Sequence, residues 1–349
     1  MSDRPPPGRP MRIPARVRAG DVVGVVSPAW GAVGAVPHRA ARARQYLEGL
    51  GLEVRLMPFS QRDDGWASAS AQERASDINA AFADPAIAVV LAGIGGNHSN
   101  QVLPHLDWTV IAANPKVFQG FSDITVLHWA LAKYAGLRTL YGPSLITGLA
   151  EWPAPLSVTD SALRAAWFGA GPPAFAPALQ WTDERVEWTM EDRAAPRARA
   201  MRPGDGWHWL RQGHADGWLF GGCLETICWH LKGQREWIDL DGAVLFLETS
   251  EDAPSPADVD AYLTDLEAIG VFNSVNALIV GRPAYYSDDR VSALERVILE
   301  RTAAAAIPVV ANFDCGHTDP MVTLPFGATV TVDSIANSIT CADPATEDR

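Results

Sequence analysis

From residue 21 onward the chain alternates short β-rich runs with helical stretches, and few architectures accept that rhythm. Residues 21–26 (Asp-Val-Val-Gly-Val-Val) read as a strand, 37–50 as a helix, 52–57 as a strand and 71–82 as a helix. The apolar run 87–91 then leads into a glycine-rich loop, Gly93-Ile94-Gly95-Gly96-Asn97-His98-Ser99-Asn100, before strand-like 117–119 and helical 124–134. Strands alternating with helices of this length imply a parallel sheet covered on both faces. Loops beyond the strand C-termini of such sheets form the ligand site.

At 349 residues the chain has room for about two domains. The first spans 21–150. In 151–206 seven prolines (153, 155, 172, 173, 177, 196 and 203) break any long periodic element, which marks a connector. It is rich in tryptophan, with Trp152, Trp167, Trp181 and Trp188. The rings either pack a loop against the body or form a lid that presents flat aromatic surface to a substrate. A second block, 207–349, holds strand-like 243–247, 276–280, 307–313 and 328–332 and a helix over 255–269 with a serine cap. It reads as a compact α+β module, with the site in the crevice between the two.

Residues 1–20 carry five arginines among prolines and read as a flexible tail without the apolar core of a secretory signal. No uncharged run approaches the roughly 18 residues that cross a bilayer, so a cytoplasmic protein with no membrane partner is expected. Lys plus Arg number 28 against 41 Asp plus Glu, a net charge of −13 that repels a phosphate backbone and argues against nucleic-acid polymers. The four cysteines, Cys223, Cys228, Cys315 and Cys341, are too sparse for a disulfide framework. A zinc site from Cys223, Cys228, His230, Cys315 and His317 lacks the tight ligand pairs that structural zinc uses, and core packing explains the helix bearing Cys223 and Cys228 better.

Ser122, in Gly120-Phe121-Ser122-Asp123, falls between a strand and a helix, where a nucleophile elbow would sit. The same serine could simply cap the helix, and on this segment alone capping is the better reading. Gly95 and Gly96 end the neighbouring strand's loop, where backbone N–H groups can approach a ligand; Ser99 and Asn100 could bind a substrate carboxylate or amide. Glu248 ends the apolar strand 243–247, and His317 follows the buried run 309–313 on a Gly- and Pro-bounded loop. Taken singly, each also reads as a solvated surface group.

Together these pieces resemble the LD-carboxypeptidase family of serine peptidases, with the stronger likeness to its microcin C self-immunity branch. The matching segments run in order: Gly20-Asp21 to Ser27-Pro28, Gly95-Gly96-Asn97 to Asn100, Gly120-Phe121-Ser122-Asp123, Tyr141-Gly142-Pro143, Gly221-Gly222, Phe246-Leu247-Glu248-Thr249-Ser250-Glu251 and Asp314-Cys315-Gly316-His317-Thr318-Asp319-Pro320. The resemblance implies a flavodoxin-like N-terminal parallel sheet followed by a smaller β-rich α+β domain, a homodimer and no cofactor. It also implies a Ser122-His317-Glu248 triad, with the N–H of Asp123 and one from Gly95 or Gly96 as oxyanion hole. The branch implies cleavage of the amide between an acyl group and a nucleotide-like amine, with Trp181 or Trp188 stacking on a purine. The wider family implies removal of terminal D-alanine from murein tetrapeptide. Cys223 stands where the branch carries asparagine, which puts substrate polarity there in question. A non-catalytic binder of such ligands is the alternative, and retention of all three triad residues argues against it.

Overall fold

Continuous apolar runs such as Val22–Val26 and Ala243–Glu248, buried along their whole length, suit only strands covered on both faces. In the computed structural model, which describes residues 11–188 and 196–348, these runs form the centres of two sheets. The first contains β1 (Val22–Val26), β2 (Glu53–Leu56), β3 (Ile87–Ala92), β4 (Val117–Gly120) and β5 (Thr139–Tyr141). Two short strands, β6 (Gln180–Trp181) and β7 (Arg202–Pro203), pair within the connector. The second sheet is built from β8 (His208–Arg211), β9 (His214–Cys223), β10 (Ala243–Glu248), β11 (Ala277–Gly281), β12 (Val309–Phe313), β14 (Thr329–Asp333) and β15 (Ser338–Cys341). The remaining strand, β13 (Leu324–Phe326), crosses back to the first sheet.

The first sheet has the order β13-β5-β4-β3-β1-β2, the flavodoxin-like 2-1-3-4-5 arrangement with β13 added antiparallel at one edge. The second runs β15-β14-β9-β10-β11-β12-β8, parallel from β9 to β12 and antiparallel at both sides. Along β1 the side chains alternate by period two. Val23 and Val25 join Leu47, Val89, Val117, Leu140 and Trp167 on one face. Val22 and Val26 join the other cluster, which continues without a break through Phe118, Tyr141 and Phe326 into Phe220, Phe246 and Phe313 of the second sheet. The two halves thus share one core, and β13 locks them together.

Two expectations are corrected. Part of the supposed tail is fixed: Arg12 N–H donates to the Gly136 carbonyl, Arg16 N–H to Glu347, and Val17 is buried. Residues 1–10 lie outside the described residues. The connector also contains a regular element, the helix Ser157–Phe168, which fits between the proline groups and buries Leu163, Ala166 and Trp167. The helix expected over 255–269 is found as Pro256–Ala268, its Ser255 and Asp258 closing a capping box. Among the described residues no helix is long and apolar enough to cross a membrane.

Candidate active site

Ser122 sits directly beyond β4, opening a tight turn (Ser122–Ile124) that runs on into the helix Thr125–Ala130. Its φ of 64° is the left-handed conformation that a serine adopts only when its surroundings impose it. Tyr141, the glycine-rich loop and His128 do so. The Ser122 N–H donates to the Tyr141 hydroxyl at 3.1 Å. Buried Asp123 accepts the N–H groups of His98 and Ser99 on Oδ2, both at 2.9 Å, while the Ser99 hydroxyl donates back to the Asp123 carbonyl at 2.6 Å. Behind the turn, His128 bridges Thr139 Oγ1 and the Gly120 carbonyl; burial pulls its pKa down to about 4, so it stays a neutral spacer.

The Asp123 clamp draws the glycine-rich loop against the elbow. A Cβ on Gly95 would stand 3.1 Å from Ser122 Cβ and 3.3 Å from the Asp123 nitrogen, so a side chain there would crowd the serine. The Gly95 carbonyl is turned away to accept Trp30 N–H at 3.1 Å.

Glu248 and His317 reach the same point from the second sheet. Glu248 ends β10 and is 1% exposed, and His317 lies on the loop after β12. The glycine before it has φ 132°, and a Cβ there would come within 2.9 Å of Glu248 Oε2, so only glycine lets the loop close over the carboxylate. His317 Nε2 is 3.1 Å from Ser122 Oγ, and Nδ1 is 2.7 Å from Glu248 Oε2. The Tyr141 hydroxyl donates to the other oxygen of Glu248 at 2.6 Å. Burial and the Glu248 charge push the Tyr141 pKa well up, so the phenol keeps its proton as donor. A second carboxylate, Glu251, lies 2.8 Å from His317 Nε2. Burial alone would lower the His317 pKa; the charges of Glu248 and Glu251 and their hydrogen bonds outweigh it, and the net shift is well upward. Reciprocally, the imidazolium holds Glu251 down at about 2.

The loop is braced from below. Arg282 pairs with Asp314 at 2.8 Å, both almost wholly buried, and donates to Asn312 Oδ1 at 2.6 Å. The connector is stitched on by paired backbone bonds between Thr182 and Asp319 and by Arg199, which bridges Asp319 and Glu151.

A cleft of about 490 Å³ opens above Ser122 and His317. Trp30, Trp152 and Trp188 line it, together with Arg39, Arg42 and Glu251. Trp30 and Trp188 are stacked at 6.2 Å and 8°, the Arg39 guanidinium sits 4.8 Å from the Trp188 ring centre, and Arg42 caps Trp152 at 5.2 Å. Such pairs form flat, partly cationic walls.

The structure brings Ser122, Glu248, His317, Asp123, Gly95 and Gly96 together, and sets Trp188 on the cleft wall. It does not bring the other expected substrate contacts there. Ser99 is fully buried as a partner of Asp123, Asn100 faces His230 at 3.2 Å, and Trp181 packs under the Arg202 and Arg282 guanidiniums. Cys223 is buried opposite Glu248, its N–H on Thr125 Oγ1, with burial raising its thiol pKa strongly. Among the described residues no group of three or more His, Cys, Asp or Glu is placed to hold a metal ion. Tyr141, Glu251, Trp30 and Arg199 carried no assigned role. Tyr141 had a signal, since a tyrosine before Gly-Pro at the end of a strand beside β4 must emerge next to the elbow.

A two-domain α/β protein with a serine elbow at the sheet's C-terminal edge, faced by histidine and glutamate from a second sheet, is the class that fold and site define. Residues 23–142 match the model of the LD-carboxypeptidase N-terminal domain and 216–332 that of the LD-carboxypeptidase C-terminal domain, and the chain belongs to this peptidase family. It is 30% identical to the microcin C7 self-immunity protein MccF of Escherichia coli, over 91% of this chain and 92% of the relative. It is 28% identical to a Bacillus subtilis protein named "Probable murein peptide carboxypeptidase", over 90% and 89%. The solved structure of MccF in complex with glutamyl sulfamoyl guanosine superposes with a TM-score of 0.86 at 27% identity, covering 96% of this chain and 99% of that one.

Proposed function

We propose that this protein is a serine hydrolase that cleaves an amide joining an acyl group to a nucleotide-like amine. The observation that carries the reading is the unbroken series Ser122 Oγ to His317 Nε2 at 3.1 Å and His317 Nδ1 to Glu248 Oε2 at 2.7 Å. His317 takes the Ser122 proton as Oγ attacks the carbonyl, and Glu248 holds the imidazole so that Nε2 faces the serine. The N–H of Asp123 and one from Gly95 or Gly96 receive the charge that develops on the carbonyl oxygen. His317 then protonates the leaving nitrogen, and water, activated by the same imidazole, releases the acyl group from Ser122.

The nucleotide reading is supported by the aromatic cleft. Trp188, backed by Trp30 and Arg39, offers a stacking face for a base, and its likeness to MccF, which binds a sulfamoyl nucleoside, points the same way. The Bacillus relative's name supports a second substrate class, a murein peptide, cleaved by the same residues; murein tetrapeptide is the form the resemblance implies. Incubation with an aminoacyl sulfamoyl adenosine and, separately, with murein tetrapeptide, read by mass spectrometry, separates the two. Release of sulfamoyl adenosine supports the first reading and release of D-alanine alone the second; ligand binding without product leaves a non-catalytic binder. We also propose a homodimer, the assembly that the resemblance implies; sedimentation velocity tests its stoichiometry.

A further inference from the structure

Glu251 touches the catalytic series from the cleft side. Its Oε2 lies 2.8 Å from His317 Nε2, nearer than Ser122 Oγ at 3.1 Å to the same nitrogen. With Glu248 on Nδ1 at 2.7 Å, the ring meets a carboxylate at each nitrogen. An ionised carboxylate only accepts, so both nitrogens donate and the ring is an imidazolium. In that state Nε2 has no lone pair for the Ser122 proton. The resting arrangement therefore holds the base shut.

The holding group can move. The Glu251 side chain is 61% exposed, against 0% for Glu248, and it lies on the loop just past β10. Facing the His317 ring are Ser122 and Phe121 from the elbow, Glu248 from β10 with Tyr141 behind it, and Glu251 itself. Arg185 of the connector, whose charge reaches Glu251, and Tyr285 line the same cleft.

We propose that Glu251 is the receptor for a free α-ammonium on the acyl side of the scissile bond, and that capturing it frees His317 Nε2 for Ser122. In an aminoacyl group the α-nitrogen lies about 2.5 Å from the carbonyl carbon. When Ser122 Oγ attacks that carbon, the ammonium is a few ångströms from Oγ and so from the carboxylate sharing Nε2. A primary ammonium satisfies Glu251 as well as the imidazolium does. Its charge also disfavours the imidazolium, whose Nε2 proton passes to water. A peptidyl acyl group has its α-nitrogen in an amide and carries no such charge. This inference rests on the hydrolase reading and divides its two substrates, favouring an aminoacyl nucleotide over murein tetrapeptide.

The test compares wild type, Glu251→Gln and Glu251→Asp. By NMR, the His317 imidazole of the free protein should titrate about one to three pH units lower in Glu251→Gln than in wild type, with Glu251→Asp restoring most of the difference. In kinetics, wild type should prefer an aminoacyl sulfamoyl adenosine over its N-acetylated form by roughly tenfold or more in kcat/KM, and Glu251→Gln should bring the two within about threefold. Turnover with equal rates on both compounds, or an unchanged His317 midpoint in Glu251→Gln, overturns the inference and leaves the hydrolase standing. Absence of any turnover by wild type removes the hydrolase and this inference with it.

Discussion

His317 carries two opposite demands, and its titration makes them visible. Its pKa is raised because Glu248 and Glu251 outweigh burial, so the free base needed to deprotonate Ser122 becomes abundant only above the ordinary histidine value of about 6.5. We predict that kcat/KM rises with pH through a midpoint above that value; a profile flat from acid to mildly alkaline pH would exclude His317 as base. Stability runs the other way. The folded state binds this proton more tightly than the unfolded chain, so the stabilisation is fully present below about pH 6.5 and is lost as pH rises through the raised folded value. The melting-temperature gap between wild type and His317→Ala should therefore narrow as pH rises. His317→Ala should cost up to about 10⁶ in kcat and Glu248→Gln about 10⁴, because an orienting carboxylate is less costly to lose than the base. Tyr141→Phe removes the hydroxyl that both supports Glu248 and fixes the Ser122 backbone. It should lower stability by about 1–3 kcal/mol, read by denaturant unfolding, and reduce kcat with little change in KM.

At the scale of elements, strand ends decide where the chemistry falls. β4 delivers Ser122, β10 delivers Glu248 and the loop after β12 delivers His317, each at the C-terminal edge of a parallel array. The buried strands and the long helices were legible in the sequence because burial on both faces leaves continuous apolar runs, and Ser255 announced its helix by a cap. Helix Ser157–Phe168 was not, because the surrounding prolines masked a segment free of proline. Ser99 and Asn100 were misplaced because their sequence position said nothing of Asp123, whose carboxylate turns the Ser99 backbone inward. The connector's tryptophans divide by contact, which no spacing rule reveals. Trp188 lines the cleft, and Trp181 lies against Arg202 and Arg282. Trp188→Ala should weaken an adenylate-type substrate by roughly 1–3 kcal/mol while sparing murein tetrapeptide, measured by calorimetry. Trp181→Ala should lower the melting temperature and affect both substrates alike. Equal losses on both substrates in Trp188→Ala would reject a stacking role.

Across the whole molecule, the two sheets act as one body. The cluster through Phe118, Tyr141, Phe246 and Phe326 is continuous, and β13 pairs with β5 from the far half of the sequence. Long-range pairing of this kind leaves no local trace, so the interlock of the two sheets was not readable in the sequence. The consequence is functional, since serine and histidine come from residues 195 apart in sequence yet stay at 3.1 Å. That distance survives only while the halves remain locked. The decisive measurement is turnover of an aminoacyl sulfamoyl adenosine by wild type and by Ser122→Ala, followed by mass spectrometry alongside the melting temperature of each. Replacing Ser122 removes one hydroxyl from a partly exposed position, so fold and ligand binding should persist while kcat falls by up to about 10⁶. Near-normal kcat in a folded Ser122→Ala variant would contradict a serine nucleophile at this elbow.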